Sequence, residues 1–296
     1  MLNTKLKSQG KRIAIIGEPG AGKTTLLQQI ADYAFFHASF QEYFAAIVID
    51  DWHFFLNHVP KNPSQGTYRI FESQWKQRIL LWLGREEEKL KQQKQKFIDA
   101  LVNFKDGCQK CYEYRAYFLA AAGIAEFRDY SKADEIVAQI LNLTINGLSS
   151  IQEKVRSALQ QTDRTKAIAA LVELLQSPTV DDDTRWQAAE SLGRIGTGNE
   201  KAIAALVELL QSPTVDDDTR WQAAESLGKI LQNSKKRLEV VKILSSYWRL
   251  YNESHNLAWK CSQNMRYADF YQAWHQHNVA TRAMRSLKKI LFTRII

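Results

Sequence analysis

The sequence has few cysteines, no Pro-rich segment and no long apolar run. Its three cysteines are an odd and small number, so no disulfide framework is implied for the 296 residues. The apolar stretch at 118–125 is far shorter than the roughly 18 residues that a membrane span requires. The apolar run at 13–16 is too short for a signal peptide. We therefore expect a soluble protein, with the cytoplasm as its default compartment.

The cysteines give little support for a metal site. Cys108 and Cys111 form a C-x-x-C pair, and Cys261 lies near His275 and His277 in the sequence. A structural zinc site usually combines two such pairs at regular spacing, and a second C-x-x-C is absent. We interpret the three cysteines as reduced thiols.

The net charge of +8 is unevenly distributed. Residues 166–230 carry six basic and eleven acidic side chains, a net charge of −5, so the remaining residues together carry +13. Because lysine and arginine supply most non-specific affinity for nucleic acid, an acidic segment of this kind is a poor phosphate-binding surface. We therefore expect no nucleic-acid partner and favour a protein partner on the surface of this segment.

The acidic segment is an internal duplication. The 28 residues KAIAALVELLQSPTVDDDTRWQAAESLG at 166–193 recur unchanged at 201–228, a period of 35 residues. A fixed period of this length predicts stacked helical units, each of which must bury its apolar face against a neighbour. In the first helix of a unit the apolar residues follow i, i+3, i+4, i+7 spacing: Ile168, Leu171, Val172 and Leu175.

The second helix of the first unit follows a short turn that contains Pro178. In both units the second helix begins near three aspartates, which the helix dipole favours. The aspartates lack the spacing of a calcium loop. We interpret Trp186 and Trp221 as packing residues rather than a ligand platform. Arg115 and Gly123 repeat the separation of the equivalent pair in the duplicated unit, which indicates an older, degenerate unit upstream.

A phosphate-binding motif lies near the N-terminus. Gly17, Gly22, Lys23 and Thr24 fit the pattern GxxxxGK[ST], between an apolar strand candidate and a helix candidate. Backbone amides of such a loop surround the phosphates, the lysine reaches the β and γ oxygens, and the threonine binds Mg²⁺. The candidate residues for binding ATP with Mg²⁺ are Gly17, Gly20, Gly22, Lys23, Thr24 and Thr25, and Thr24 would be the metal ligand only with nucleotide present.

Hydrolysis requires more than this loop. An NTPase also needs an acidic residue at the end of a second strand, and only Asp50 or Asp51 could serve. The aromatic and apolar residues from Phe40 to Phe55 mostly follow helical spacing, so we favour a helix there. A helix would leave the strand at 12–16 without a neighbour and the motif without a sheet.

Several segments resemble NACHT-type signalling NTPases, typically bacterial ones of cyanobacterial type. GEPGAGKTTLL looks like their phosphate loop, and SFQEYFAA resembles a segment at the far end of their NTPase module. TYRIFESQWKQRILLWLG and RAYFLAAAGIAEF resemble the region that follows, and the 35-residue units are similar to HEAT-like repeats of the phycobilin-lyase type. The resemblance covers about residues 12–275.

The order of these segments implies an internal deletion. In the family a large stretch separates the phosphate loop from the FQEYFAA segment, and it carries the metal-site strand and the rest of the sheet. Only about a dozen residues intervene here. The resemblance therefore implies nucleotide-binding positions at Gly17, Gly22, Lys23 and Thr24 and no hydrolytic residues.

We predict an all-α, HEAT-like helical solenoid with a short phosphate-loop remnant of one strand, loop and helix. The predicted segments are a loop remnant at 1–37, a NACHT-like helical segment at 38–84, a helical region with degenerate repeats at 85–165, two repeats at 166–232, and a helical cap with a basic tail at 233–296. Within them, 85–96 reads as a solvated linker helix.

The predicted function is a protein-interaction and signalling scaffold that retains at most weak ATP binding and is not a competent enzyme. The alternatives are a small ATPase that uses Asp50 and a phycobilin-lyase-like protein.

The basic tail at 279–296 carries five basic residues and no acidic one. Its apolar residues share one face when placed on a helix: Ala283, Leu287, Ile290 and Leu291. Such a helix either covers the end of its own solenoid or lies on an anionic membrane. We favour the cap.

Overall fold

The structure is a computed structural model that describes residues 7–9, 12–14, 38–212, 214–232, 234–247 and 252–275. The chain divides into two compact units; the first ends at Leu119 and the second begins at Ala120. The phosphate-binding motif and the basic tail at 279–296 lie outside the described residues.

The strands in the described part of the first unit form two antiparallel pairs. Strand β1 (Lys7–Gln9) pairs with β2 (Arg12–Ala14), and β3 (Leu56–Asn57) pairs with β4 (Thr67–Tyr68). The prediction that the strand at 12–16 has no neighbour is therefore wrong, because the polar segment Lys7–Gln9 pairs with it. Among the described residues, β2 has no parallel partner of the kind that supports a phosphate loop in an NTPase sheet.

The helices of the first unit are short and joined by 3-10 turns. Among the residues that the structure describes in this unit, the α-helices are α1 (Ala38–Ile47), α2 (Ser73–Leu83), α3 (Lys91–Val102) and the beginning of α4 (Cys111–Glu126). The 3-10 turns are Trp52–Phe54, Pro63–Gln65, Arg69–Phe71 and Glu88–Leu90.

The helix predicted through Phe55 is confirmed in its first part and ends earlier than predicted. Helix α1 stops at Ile47, and the Asp51 carboxylate accepts a hydrogen bond of 3.0 Å from the backbone N–H of His53. That hydrogen bond caps the following 3-10 turn, because an aspartate at this position satisfies an N–H that has no partner within the turn. The chain therefore leaves the helical path before Phe55, which is fully buried in the core.

The segment at 85–96 is not a solvated linker. Arg85 is only 4% exposed, and its guanidinium donates hydrogen bonds to the carbonyls of Ala46 and Ile49 at 3.2 and 2.6 Å. Lys94 is also buried and donates to the carbonyl of Arg85. The last carbonyls of a helix have no partner within it, so Arg85 supplies a partner for the Ala46 carbonyl at the end of α1. The burial of both charged side chains is compensated by hydrogen bonding, as burial of a charge requires.

The second unit consists of paired helices. After the remainder of α4 it contains α5 (Ala133–Asn146), α6 (Gln152–Gln161), α7 (Arg164–Gln176), α8 (Asp182–Ile195), α9 (Glu200–Gln211), α10 (Asp217–Ile230), α11 (Ser234–Tyr247), α12 (Asn252–Gln263) and α13 (267–275). A 3-10 turn at Ser149–Ile151 precedes α6. The first helices of the two identical repeats are α7 and α9, and the second helices are α8 and α10.

The predicted stacking of the two repeats is confirmed. The leucines expected to face the core are all less than 10% exposed: Leu171, Leu175, Leu192, Leu206, Leu210 and Leu227. Helix α8 contacts α10, α7 contacts α9, and α10 contacts α12. The chain is thus an all-α, HEAT-like solenoid over these helices. Among the described residues, no helix combines the length and the apolar character of a membrane span.

A glycine allows the second helices of the repeats to approach closely. An added Cβ at Gly193 would lie 2.5 Å from Oγ and 2.9 Å from Cβ of Ser226, closer than side-chain atoms normally pack. Two hydrogen bonds join the same repeats at opposite ends. The Thr219 hydroxyl donates to the Asp182 carbonyl at 3.1 Å, and the Gly198 N–H donates to the Ile230 carbonyl at 3.1 Å.

Candidate interaction surface

The second helices α8, α10 and α12 carry a row of tryptophans, which we call the second-helix face. Trp221 on α10 is 42% exposed and Trp259 on α12 is 61% exposed, whereas Trp186 on α8 is partly buried. Packing therefore accounts for only part of the Trp221 surface, and its role in binding stays a prediction. Exposed tryptophans cost free energy in water, and such residues dominate the binding energy of protein interfaces.

A pocket of about 240 Å³ lies between α10 and α12, and we call it the tryptophan pocket. Trp221 and Trp259 both line it, together with Ala224, Glu225, Asn256, Leu257 and Lys260. The pocket thus combines two indole rings and apolar side chains with one amide and two charged side chains. This mixture suits an apolar or aromatic side chain with a polar end.

A second pocket, of about 340 Å³, lies beside α8. It contains the counterparts of tryptophan-pocket residues from the preceding repeat, Trp186 and Glu190. Its other wall comes from α5 and α6 and includes Gln152 and Arg156. The identical repeat sequences therefore supply similar chemical groups twice along one face, roughly 10 Å apart for adjacent packed helices.

The glutamates of this face are already paired. The Glu190 carboxylate lies 2.8 Å from a guanidinium nitrogen of Arg194 and 3.5 Å from one of Arg156. The Glu225 carboxylate lies 3.0 Å from the Lys229 ammonium. Because each carboxylate has a cation beside it, the second-helix face does not present a strong negative field. Its exposed indoles are the groups that a partner would cover.

The aspartates before the second helices are capping residues. The Asp181 carboxylate accepts from the backbone N–H of Thr184 at 2.7 Å, and Asp216 makes the same hydrogen bond to Thr219. These hydrogen bonds, together with those to the threonine hydroxyls, lower the pKa of both carboxyls. Among the described residues, no group of three or more His, Cys, Asp or Glu side chains could hold a metal ion.

Asp50 is not placed as an NTPase carboxylate. It follows α1 rather than ending a strand, so the parallel strand required by the ATPase alternative is absent at 45–50. Its carboxylate lies 3.2 Å from the Lys89 ammonium and 3.2 Å from the Arg85 guanidinium. The hydrogen bond from Lys89 lowers its pKa most, with Arg85 adding to the effect. Asp50 therefore takes part in fixing the end of α1.

The predicted nucleotide-binding residues all lie outside the described residues: Gly17, Gly20, Gly22, Lys23, Thr24 and Thr25. Their role therefore stays a prediction.

The cysteines fall into two environments. Cys108 and Cys111 are exposed in the first unit, while Cys261 on α12 is buried. Burial raises the pKa of the Cys261 thiol to about 11, so it is protonated at neutral pH and acts as a core residue. The ring of His275 contacts Tyr271, with 4.2 Å between the ring centroids.

Two families match parts of the chain. Residues 137–228 and 181–247 match HEAT repeats, which covers the helices from α5 to α11. Residues 247–275 match the family described as NACHT C-terminal Cysteine and Histidine-containing, which covers α12 and α13 and includes Cys261 and His275. No curated protein and no solved structure matches the chain. The chain thus joins HEAT-type repeats to a segment linked with NACHT proteins.

The tryptophan pocket lies across the junction of these two matches. Trp221 belongs to the HEAT repeats and Trp259 to the Cys- and His-containing segment. Sequence analysis missed Trp259 because it follows Trp221 by 38 residues rather than the 35 of the repeat. The tryptophan spacing of 38 residues, close to the period of 35, could have indicated a third, degenerate unit that carries Trp259.

Proposed function

We propose that the chain is a protein-interaction scaffold that binds a partner through the second-helix face. The observation that supports this proposal is that two exposed indoles, Trp221 and Trp259, line the same pocket. HEAT repeats commonly mediate contacts between proteins. Stacked repeats suit this function because neighbouring units hold the second helices in fixed register and so present a rigid surface.

Partner binding by wild type and tryptophan variants tests this proposal. Proteins captured by the wild-type chain would be purified individually, and their dissociation constants measured by calorimetry. Trp221→Ala and Trp259→Ala should each weaken binding at least tenfold, because truncated hot-spot tryptophans commonly cost about 2 kcal/mol or more. Tyr267→Ala is the matched control, since Tyr267 is 79% exposed and does not line the pocket. Equal affinities for all four proteins would contradict the proposal.

We further propose that the scaffold derives from a bacterial NACHT protein of cyanobacterial type that has lost most of its NTPase module. The match at 247–275 supports a NACHT relationship. The internal deletion is supported by the sequence order alone, in which the phosphate-binding motif is followed within about a dozen residues by the FQEYFAA segment. In this proposal the repeats keep the partner-binding role and the cytoplasm is the site of action.

Nucleotide binding is a separate proposal that rests on the motif containing Lys23 and Thr24. The loop binds ATP with Mg²⁺ weakly and does not hydrolyse it, since Asp50 is engaged by Lys89 and Arg85. We do not propose bilin attachment, because the three cysteines all lie outside the duplicated units.

A further inference from the structure

An apolar groove lies between the first helices α9 and α11, on elements other than those that form the tryptophan pocket. Its volume is about 280 Å³, and we call it the outer groove. Ile203 and Val207 from α9 and Val240 from α11 line it. These side chains form an apolar floor that a non-polar side chain of a ligand would cover.

The rim of the outer groove is acidic. Glu200, Glu208 and Glu239 lie along it, and Lys236 is the single cation among the lining residues. The Lys236 ammonium lies 3.2 Å from Glu239 and 3.9 Å from Glu200. Lys236 thus lies within ion-pair distance of two of the three carboxylates, and the lining residues carry a net charge of −2. The side chains of Glu200 and Glu239 are 79% and 57% exposed, so both can still accept from a ligand.

An apolar floor with a glutamate rim is complementary to a helix that is apolar on one side and basic on the other. The chain contains one such segment outside the described residues, the basic tail at 279–296, with five basic residues and no acidic one. Its sequence starts four residues after 275, the last described residue of α13. Attachment to the same chain makes binding of the tail intramolecular, with an effective concentration set by the length of the linker and the distance that it must span.

We propose that the basic tail of this chain binds in the outer groove of the same molecule. Leu287, Ile290 and Leu291 cover the apolar floor, and the arginines and lysines of the tail pair with the glutamates of the rim. The surface charge of the repeats is thereby offset within one molecule. This contact is independent of the second-helix face and so goes beyond the proposed function.

A truncated protein that ends at residue 278 and a labelled synthetic peptide of residues 279–296 test the proposal. The peptide should bind the truncated protein with 1:1 stoichiometry in fluorescence anisotropy, and binding should weaken as salt is raised. The full-length protein should bind the peptide at least tenfold more weakly, because its own tail occupies the groove. Equal binding by the two proteins would overturn the proposal.

Charge reversal on the rim locates the binding site. Glu208→Lys in the truncated protein should weaken peptide binding several-fold, and adding Glu239→Lys should weaken it at least tenfold. Glu173→Lys is the matched control, because Glu173 occupies the position of Glu208 in the preceding repeat and does not line the groove. It should change the affinity less than threefold. All variants carry exposed surface changes, and circular dichroism confirms that each is folded before binding is measured.

Two further outcomes would refute binding within one molecule. A full-length protein that is dimeric by light scattering, with a monomeric truncated form, would place the tail in the groove of a second copy. Co-sedimentation of the full-length protein but not the truncated form with vesicles of anionic lipid would place the tail on a membrane.

Discussion

Replacing Gly193 and Gly228 by alanine, one at a time, measures how closely the second helices pack. The two glycines occupy the same position of the identical 28-residue repeats. An added Cβ at Gly193 would lie 2.5 Å from Oγ, 2.9 Å from Cβ and 3.1 Å from Cα of Ser226. At Gly228 it would lie 2.8 Å from Cδ of Lys260, whose long side chain can move aside.

The two substitutions are expected to change the free energy of unfolding differently. Alanine is favoured over glycine inside a helix by about 0.5–1 kcal/mol, and this gain is common to both variants. At Gly193 the new methyl group meets atoms fixed to the neighbouring helix, and overpacking of this kind costs about 1–3 kcal/mol. Gly228→Ala should therefore be neutral or stabilising, while Gly193→Ala should be less stable than Gly228→Ala by about 1–3 kcal/mol.

Thermal unfolding followed by circular dichroism is the assay. A difference of 1 kcal/mol shifts the melting temperature of a domain of 150–250 residues by about 2–4 °C, so the two variants should melt roughly 2–12 °C apart. Combining Gly193→Ala with Ser226→Gly should cost less than the sum of the two single changes, because the glycine makes room for the methyl group. Equal melting temperatures for the two glycine variants, or strict additivity in the combined variant, would refute the close contact.

Three parts of the molecule and the phosphate-binding motif give further predictions. Leu192→Ala should lower the free energy of unfolding by about 2–5 kcal/mol in urea titrations, because the side chain is fully buried; a loss within error would mean that it is not a core residue. Arg85→Ala should destabilise by about 1–3 kcal/mol, because the Ala46 carbonyl loses its hydrogen bond from the guanidinium, whereas the Ile49 carbonyl keeps the one from the Trp82 indole N–H. Lys89→Ala, which removes an exposed partner of the Asp50 carboxylate, should cost less than about 1 kcal/mol. Since hydrogen bonds to Thr184 lower the pKa of Asp181, its contribution to stability is present at neutral pH and is lost as the pH falls below about 4. Asp181→Asn should therefore reduce the change of melting temperature with pH below about 4. The same pH dependence in the variant and in wild type would contradict the role of Asp181 as a helix cap. Calorimetric titration with ATP and Mg²⁺ should show weak binding that Lys23→Ala abolishes, and no phosphate release; steady release dependent on Lys23 would restore the enzyme interpretation.

The repeats could be predicted because their signal is local and periodic. Leu192 and Leu227 occupy equivalent places in an unchanged 35-residue period, and their burial follows from the spacing of apolar residues on one helix. Arg85 and Lys94 could not be predicted in this way, because charged residues are almost never fully buried unless they are paired. The partners of Arg85 are carbonyls 36 and 39 residues away, which no pattern along the sequence reveals.

The candidate site was harder to predict than the fold. Identical sequences suggested identical roles for Trp186 and Trp221, yet Trp221 faces the pocket formed with α12 and is the more exposed. The exposure of each indole depends on the neighbouring helices, which are α5 and α6 beside Trp186 and α12 beside Trp221. The first strand pair was missed because Lys7–Gln9 is polar and lacks the apolar run that marked Arg12–Ala14 as a strand candidate.

Gly193 and Ser226 form a contact between unlike surfaces of consecutive repeats, and a contact of that kind does not close on itself. Any molecule with a free Gly228 would offer the next repeat of another molecule the same place to dock, and the product would be a growing fibre. Lys260 lies over Gly228 at this end of the duplicated repeats. Helix α12 contacts α10 and covers this end of the duplicated repeats, so we expect a chain cut before α12 to associate with other copies.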